Sequence, residues 1–407
     1  MSFAFLTALY EQPGPWTTVW MDTSAHTETE AEKRALAAED LARDLAAQGA
    51  PEADCAVVRE TLSPVGRGGE AAGRALFVRA GRIVVDLPLL TAPERTEAHF
   101  AALPRITPVL RHADDAGVCL VVYVNRAGAD FEVRDAWPAR VTGSVEGQQY
   151  PLHRTGRADW SERHFQLKVE QNWDQNAREI AAAVAEHYQE TGADTVVLVG
   201  EPRERRTVHA ALPAPLQELT VETEHSGRAS GSSSPLLDSD VAAVRRVNAR
   251  RRWRRAYQRF ATVLSPEAGE TGAVEGVPLL VEAARESRVA MLLLDPEGPD
   301  GAREVWTGPE PYQVAVRRTE SQYLGETEPV ASRADDALVR AAVVGGAEVL
   351  VLPVDDPGGT PESRKLEQAG REPAQVTIEE DEEIGEEELS APVGGLGALL
   401  HGTAEAH

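Results

Sequence analysis

The chain has 407 residues, a length that predicts two to four domains, each with a hydrophobic core of its own. Its 42% of hydrophobic residues includes no apolar run near 18 residues, and its first residues carry no basic leader, so we expect a cytoplasmic protein without a membrane contact. The formal net charge of −25 at pH 7 argues against DNA as a partner, yet acidic and basic residues are segregated along the chain.

The first predicted domain, residues 1–112, combines helices with a β-hairpin. The hairpin is indicated by two β-rich runs that Ala80-Gly81 joins as a tight turn. In chain order, the predicted elements are a short helix, a strand at Trp16–Met21, helices at Thr27–Gln48 and after Pro51, and strands at Ala75–Arg79 and Arg82–Leu87.

The second predicted domain, residues 113–265, alternates strands and long helices. Its first strand is too apolar for a half-exposed position and suits the centre of a sheet. In chain order, the predicted elements are strands at Val118–Val124, Phe131–Arg134 and Arg140–Val145, a long helix that ends near Tyr188, a strand at Thr195–Gly200 and an Arg-rich helix.

The long helix of this domain has one face that is predicted to be buried. Its apolar residues recur every three or four positions over about six turns. A turn-rich loop of residues 153–166 precedes it and carries more basic than acidic side chains. The apolar positions are Phe165, Val169, Trp173, Ala177, Ile180, Val184 and Tyr188.

The Arg-rich helix places eight arginines within the fifteen residues 245–259. Trp253, Tyr257 and Phe260, at spacings of four and three, predict its buried side. Arginines four residues apart repel one another by a few tenths of a kcal/mol, which is consistent with an anionic partner. That partner is either RNA or the acidic segment of this same chain, and a plain solvated face is the third interpretation.

The third predicted domain, residues 268–407, also alternates helices and strands. An insertion at 355–388 carries thirteen acidic residues against three basic ones and is predicted to be disordered. In chain order, the predicted elements are a helix at Gly276–Arg285, strands at Ala290–Leu294 and Glu304–Trp306, a helix at Ala334–Val344, a strand at Glu348–Leu352 and the terminal segment Val393–His401.

The cationic loop that opens onto a long helix, and the order of the domains around it, resemble the archaeo-eukaryotic release-factor and Pelota superfamily. The resemblance implies a multi-domain α/β (α+β) chain with an N-terminal α+β domain, a ribonuclease-H-like middle domain and a C-terminal α/β sandwich like kink-turn-binding proteins. That last domain ends in a Gly-Gly-x-Gly-Ala segment, here Gly394–Ala398. Among bacterial members, the chain most resembles the Balon group of ribosome-hibernation factors and its actinobacterial relatives.

The loop departs from the family's pattern at its tip. Family members carry Gly-Gly-Gln there, and the positions that follow Gly156-Arg157 read Ala158-Asp159-Trp160 instead. The upstream Gly147-Gln148-Gln149 has a single glycine and is stiffened by Tyr150-Pro151, so we interpret it as a strand-end turn. The family's codon-reading Asn-Ile-Lys-Ser motif is missing from residues 1–112.

The resemblance therefore implies a non-catalytic factor that fills the vacant A site of the 70S ribosome during hibernation or stress. We expect a monomer that contacts rRNA, and the sequence leaves open whether elongation factor Tu accompanies it. The alternative is a ribosome-rescue enzyme that acts on peptidyl-tRNA, by peptide release or by tRNA cleavage. A third hypothesis is a stress protein of similar fold that is unrelated to ribosomes.

The predicted contacts with RNA lie in the loop and on the Arg-rich helix, where arginines neutralise phosphates and Trp160 stacks on a base. The alternative for the loop is a solvated helix entrance with Trp160 packed on its own domain. No catalytic residue, metal ligand or cofactor is expected, because no ligand-spaced pair accompanies the loop histidines and the two cysteines have no partner nearby. The predicted RNA-binding residues are Arg154, Arg157, Trp160, Arg163, His164, Arg250, Arg251, Arg252, Arg254 and Arg255.

Overall fold

The described part of the chain divides into two compact units. Residues from 117 to 248 form the first unit, and residues 4–114, 249–353 and 389–401 form the second. The predicted division into three domains stays a prediction. The computed structural model describes residues 4–11, 14–23, 28–63, 72–89, 92–93, 95–114, 117–126, 128–134, 140–146, 160–223, 235–264, 272–353 and 389–401.

The N-terminal part of the second unit is an antiparallel sheet with helices. The strand order is β3-β2-β1-β4, and the hairpin predicted at Ala80-Gly81 joins β2 to β3. Leu41 and Leu45 of α2 and Val58 of α3 pack on Val19 and Leu76 of the sheet. The elements are α1 Ala4–Tyr10, β1 Trp16–Asp22, α2 Glu28–Ala47, α3 Glu52–Leu62, β2 Gly73–Arg79, β3 Arg82–Leu89, β4 Glu97–Ala101 and α4 Thr107–Asp114.

The first unit is built on a mixed five-stranded sheet, in the order β7-β6-β5-β8-β9. The first three strands pair antiparallel, and β5, β8 and β9 run parallel. The central position of β5 confirms the strand predicted from its apolar run, and this mixed α/β arrangement is the predicted fold class. The elements are β5 Cys119–Asn125, β6 Gly128–Arg134, β7 Arg140–Glu146, α5 Trp160–Thr191, β8 Thr195–Val199, α6 Pro202–Ala211, α7 Ala214–Gln217, β9 Thr220–Glu222 and α8 Pro235–Leu264, whose residues from Ala249 onward belong to the second unit.

The two faces of this sheet bury different helices, because successive side chains of a strand point to opposite faces. On one face, Leu120, Val122 and Val124 pack in a cluster with α5. On the other face, Cys119, Val121 and Tyr123 share a cluster with α8, which contributes Leu237, Val241 and Val244. Both cysteines of the chain, Cys55 and Cys119, are buried free thiols.

The C-terminal part of the second unit holds a four-stranded sheet, β10-β16-β11-β15, and a three-stranded sheet, β13-β12-β14. The terminal strand β16 pairs antiparallel with β10 and β11. A Cβ added at Gly395 would lie 2.5 Å from the Cα of Gly298. The close approach of the two backbones therefore requires glycine at position 395. The elements are β10 Ala273–Glu275, α9 Val277–Arg285, β11 Val289–Leu294, β12 Glu304–Thr307, β13 Val314–Ala315, α10 Arg318–Ser321, β14 Val330–Arg333, α11 Ala334–Val344, β15 Glu348–Val351 and β16 Leu396–Leu400.

Several of these elements were absent from the sequence-based prediction. The strand β4 has only five residues and α4 only eight, so each offers a short pattern from which to predict an element. Conversely, all the helices and strands that were predicted are present, with boundaries shifted by a few residues except at the start of α5, which lies further upstream. Within the part of the chain that is described, no helix combines the length and the apolar character needed to span a membrane.

Candidate functional site

The helix α5 begins earlier than predicted, and this corrects the predicted loop of residues 153–166. Trp160, Arg163 and His164 belong to the first turns of α5, because no glycine or proline interrupts the chain there and Glu162 in the first turn favours a helix start. The side chains of α5 are described only from Trp173 onward. Arg154, Arg157, the tip Ala158-Asp159 and the upstream Gly147–Gln149 lie outside the described residues.

The buried face predicted for α5 is confirmed over its described half. Ala177, Ile180 and Val184 are fully buried against the sheet, and Trp173 and Tyr188 pack at the edge of the same cluster. The indole nitrogen of Trp173 is buried and has no hydrogen-bond partner among the described residues. This packing anchors α5 over the segment that follows the proposed RNA contacts.

The first half of α8 is held on the sheet by a polar network. Glu132, 1% exposed, accepts hydrogen bonds from the Tyr123 hydroxyl at 3.0 Å and from Arg134 Nε at 2.7 Å. Arg134 also donates to Tyr123 Oη at 3.1 Å and pairs with Asp238 of α8. Burial raises the pKa of Tyr123 to about 12, with Glu132 raising it further and Arg134 opposing, so the phenol stays a neutral donor at physiological pH.

The second half of α8 is anchored by its aromatic residues. Trp253 and Phe260 are buried in a cluster with Leu293, Leu350 and Leu399, which confirms the buried side that was predicted. The indole Nε1 of Trp253 donates a hydrogen bond to the carbonyl oxygen of Ser390 at 2.8 Å. These contacts fix how the helix is rotated about its axis and therefore which arginines face outward.

Three of the predicted RNA-binding arginines face the protein. Arg252 Nη2 pairs with Glu348 Oε1 of β15 at 3.2 Å. The Nη2 atom of Arg254 is buried and has no hydrogen-bond partner among the described residues. Arg250 is half-buried and already has an interaction partner within the structure. Arg250 and Arg252 are thus engaged in internal contacts, and part of the Arg254 guanidinium is buried.

A different set of arginines faces away from the aromatic anchors. At 100° per residue, Arg251, Arg255 and Arg259 follow one another at i, i+4 and i+8 on the side opposite Trp253. Arg255 and Arg259 are exposed and Arg251 is half-buried, and none of the three forms an ion pair with another described residue. We call these three residues the basic stripe. Arg259 was absent from the predicted site, although its spacing from Arg255 carries the signal.

The described residues hold no other obvious chemistry in this part of the chain. No group of three or more His, Cys, Asp or Glu among them is placed to bind a metal ion. Burial raises the pKa of the Cys119 thiol to about 12, which keeps it protonated and unreactive. His209 is bound between Glu222 Oε1 at 3.0 Å and the carbonyl oxygen of Gln217 at 3.1 Å, so both ring nitrogens are occupied.

Comparison with known proteins gives one family match. Residues 118–265 match bacterial archaeo-eukaryotic release factor family 2, a segment that runs from β5 through α8. No protein of curated function matches the chain.

Among solved structures, Pelota of Archaeoglobus fulgidus is 11% identical, with 81% of this chain and 78% of that chain covered and a TM-score of 0.32. Dom34 of Saccharomyces cerevisiae is 11% identical, with coverages of 83% and 73% and a TM-score of 0.36. The archaeal translation termination factor aRF1 is 12% identical, with coverages of 98% and 96% and a TM-score of 0.23. The family match concerns residues 118–265, which are less than half of the chain.

Proposed function

We propose that this chain, whose residues 118–265 match family 2 of the bacterial archaeo-eukaryotic release factors, binds the ribosome and occupies the vacant A site without catalysing a reaction. The observation that carries the proposal is the basic stripe of Arg251, Arg255 and Arg259, which has no ion-pair partner among the described residues. Such a factor protects idle ribosomes during hibernation or stress.

The geometry of the stripe suits a polyanion. Its residues are separated by one helical turn each, so the guanidinium groups follow a line with about 6 Å of rise between neighbours. Neighbouring arginines repel by a few tenths of a kcal/mol, and a phosphate between them removes that cost. The stripe also belongs to a helix whose two halves are fixed by the Arg134–Asp238 pair and by Trp253. Little conformational entropy of the backbone is therefore lost on binding.

The loop and the start of α5 supply the second proposed contact. Arg154, Arg157, Arg163 and His164 would neutralise phosphates, and Trp160 would stack on a base of rRNA. The packing of Ile180 and Val184 on the sheet supports this role, because it fixes the helix that presents these residues. Binding through both contacts would be insensitive to RNA sequence, since phosphates and stacking platforms read no base identity.

The proposed absence of catalysis follows from the loop tip. Ester hydrolysis needs a small, flexible tip whose backbone reaches hydrogen-bonding distance of the tRNA end, about 3 Å. Ala158-Asp159-Trp160 is bulkier than Gly-Gly-Gln, and Asp159 carries a negative charge that repels the anionic tRNA. A factor with this tip would act by filling the site.

The test of ribosome binding is co-sedimentation of the purified full-length protein with 70S ribosomes. We expect association at about 50 mM salt that weakens by at least about tenfold at about 200 mM, because three or more phosphate contacts release their counterions. The bound fraction is read from the pellet over a titration of ribosomes. Failure to associate at low salt would overturn the proposal, and association that ignores salt would exclude the stripe as its basis.

The absence of catalysis has its own test. Programmed ribosomes that carry labelled peptidyl-tRNA are incubated with the protein, and we expect no peptide release and no tRNA cleavage above the uncatalysed rate. A release factor with an intact Gly-Gly-Gln tip serves as the positive control. Release by this protein would favour the rescue enzyme, and its loss in Gln149→Ala would assign the chemistry to Gly147-Gln148-Gln149.

A further inference from the structure

The second unit contains a cleft of about 370 Å³ beside a buried pair of acidic residues. Trp20 of β1 and His99 of β4 stack in its wall with 5.0 Å between ring centroids. Arg105, Arg333 and Asp336 also line it. It therefore lies where residues from the N-terminal and C-terminal parts of the same unit meet.

The centre of this region is the pair Asp335 and Asp336, in the first turn of α11, which are 2% and 3% exposed. Arg105 Nη1 contacts Asp335 Oδ2 at 2.9 Å and Asp336 Oδ2 at 3.3 Å. The backbone N–H of Ile106 donates to Asp336 Oδ1 at 3.0 Å, and the Thr107 hydroxyl donates to Asp335 Oδ2 at 3.0 Å. Three consecutive residues thus bind two carboxylates that are about 230 positions away in the sequence.

The ionisable side chains that line the cleft have hydrogen-bond or ion-pair partners within the protein. We therefore do not interpret the cleft as a ligand site. Arg333 donates to Asp335 from Nε at 3.1 Å and from Nη2 at 2.9 Å. Glu97 Oε2 lies 3.3 Å from His99 Nε2. Burial lowers the pKa of His99 with Glu97 opposing, so the ring is neutral at pH 7 and adds no charge beside the acid pair. The contacts join segments of the chain.

The charges around Asp335 and Asp336 determine how strongly residues 105–107 are held to the start of α11. The titratable and charged groups that act on Asp336 are Asp335 and Arg333 at the start of α11, Arg105 before α4 and Tyr10 of α1, and Arg340 acts on Tyr10 in turn. The Tyr10 hydroxyl is buried without a hydrogen-bond partner among the described residues, and the Arg340 guanidinium is engaged by the carbonyls of Gly308 and Glu310. Among the described residues, Arg105 is the one cation that touches both carboxylates, and Arg333 is bonded to Asp335.

We propose that Asp335, Asp336 and Arg105 form a proton-linked clasp. It fastens residues 105–107 to the start of α11, is tightest when the acid pair holds one proton, and loosens when that proton is lost to solvent. Two adjacent buried carboxylates that share one guanidinium repel each other when both are ionised, and a proton on Asp336 removes that repulsion. The clasp makes the joint between the two parts of the second unit sensitive to pH near neutrality.

The direction of the pH dependence follows from linkage. Burial, with Asp335 as the next cause, raises the pKa of Asp336 from 3.8 to about 7, and Arg105 and the Ile106 amide oppose the rise. The closed clasp then binds the proton more tightly than the open one, so closure is favoured below pH 7 and loses this advantage as pH rises through 7. Asp335 has a lowered pKa, chiefly because Arg333 and Arg105 outweigh its burial, and its pH window lies below 3.8.

The test is hydrogen–deuterium exchange of the full-length protein at pH 6 and pH 8, corrected for the intrinsic exchange rate and resolved to the Ile106 amide. The equilibrium constant for opening at the Ile106 amide should rise about tenfold from pH 6 to pH 8, since the closed form holds the proton at pH 6 and has lost it at pH 8. The amide of Gly81 is an internal control, because it donates to Asp54 Oδ1 at 2.5 Å, and the other oxygen of this buried carboxylate accepts a hydrogen bond from the Thr17 hydroxyl at 3.0 Å. Its protection should stay constant.

Two isosteric variants separate the clasp from a merely structural contact. Asp336→Asn keeps an oxygen for the Ile106 amide and removes the charge. In this variant the protection of the Ile106 amide should be independent of pH and at least equal to its protection in the parent protein at pH 8. Asp335→Asn removes a charged acceptor of Arg105, Arg333 and Thr107, and its protection should fall at both pH values. Equal protection of Ile106 at pH 6 and pH 8 in the parent protein, or an undiminished tenfold change in Asp336→Asn, would overturn the proposal.

Discussion

Replacing Trp253 by alanine is expected to lower the free energy of unfolding of the second unit by about 3–5 kcal/mol, the range for removing a large buried aromatic side chain. Trp253 is 0% exposed, and its ring packs against Phe260, Leu293 and Leu399. The substitution would also leave the Ser390 carbonyl without the indole donor that lies 2.8 Å away. The measurement is urea unfolding followed by far-UV circular dichroism.

A matched variant separates packing from hydrogen bonding at this position. Trp253→Phe keeps most of the apolar contact and loses the N–H group, so we expect a smaller loss of about 1–3 kcal/mol. Tyr257→Ala is the control on the same helix, because that residue is only half-buried at the edge of the cluster. A loss below about 1 kcal/mol in Trp253→Ala would show that the aromatic anchor does not hold α8.

The anchoring of α8 was accessible from the sequence because it is a local pattern. Trp253 and Phe260 are seven residues apart, two helical turns, and this spacing places them on one face whatever the surroundings. The same reasoning found β5 from its apolar run and the hairpin from Ala80-Gly81. Periodicity and turn chemistry act over a few residues, so they can be read without a structure.

Contacts between distant segments could not be found in this way. Arg252 and Glu348 are 96 positions apart, and nothing in the run of arginines marks Arg252 as the one that pairs with β15. Arg105 and Asp335 are 230 positions apart, and neither has a local signature beyond a charged residue near a helix. The identity of the outward-facing arginines therefore depended on knowing how Trp253 fixes the rotation of the helix.

The rotation of α8 decides which arginine substitutions best test contact with RNA. Reversing Arg252 would break its ion pair with Glu348, and reversing Arg254 would put a carboxylate where a guanidinium nitrogen is buried, so lost binding in either variant would be ambiguous. The basic stripe has no ion pair to lose among the described residues. Charge changes on exposed side chains of this kind usually alter stability by less than about 0.5 kcal/mol each.

The acidic segment at 355–388 supplies a competing explanation for the stripe. If those carboxylates, which lie outside the described residues, occupied the arginines, reversing the stripe would leave ribosome binding unchanged or strengthen it. If RNA occupies them, binding must weaken. The two hypotheses therefore differ in the sign of one measured quantity, which makes the stripe a better test than the total charge of the chain.

The triple variant Arg251→Glu, Arg255→Glu and Arg259→Glu is expected to weaken the affinity for 70S ribosomes by about 1,000-fold or more. Each charge-assisted phosphate contact contributes roughly 1.5 kcal/mol or more, so three lost contacts exceed about 4 kcal/mol, and each 1.4 kcal/mol is a factor of ten. The affinity is read from ribosome titrations at low salt. The slope of log affinity against log salt concentration should become shallower by the amount expected for about three lost phosphate contacts.

The matched control reverses three exposed arginines elsewhere in the second unit, Arg82, Arg95 and Arg317, and so changes the net charge by the same amount. A long-range effect of charge alone would weaken binding equally in both variants, whereas direct contact predicts a large loss only in the stripe variant. Circular dichroism and the urea midpoint of both variants should match the parent, since Trp253 still anchors the helix. Equal affinities of the stripe variant and the parent would show that α8 turns this face toward something other than the ribosome.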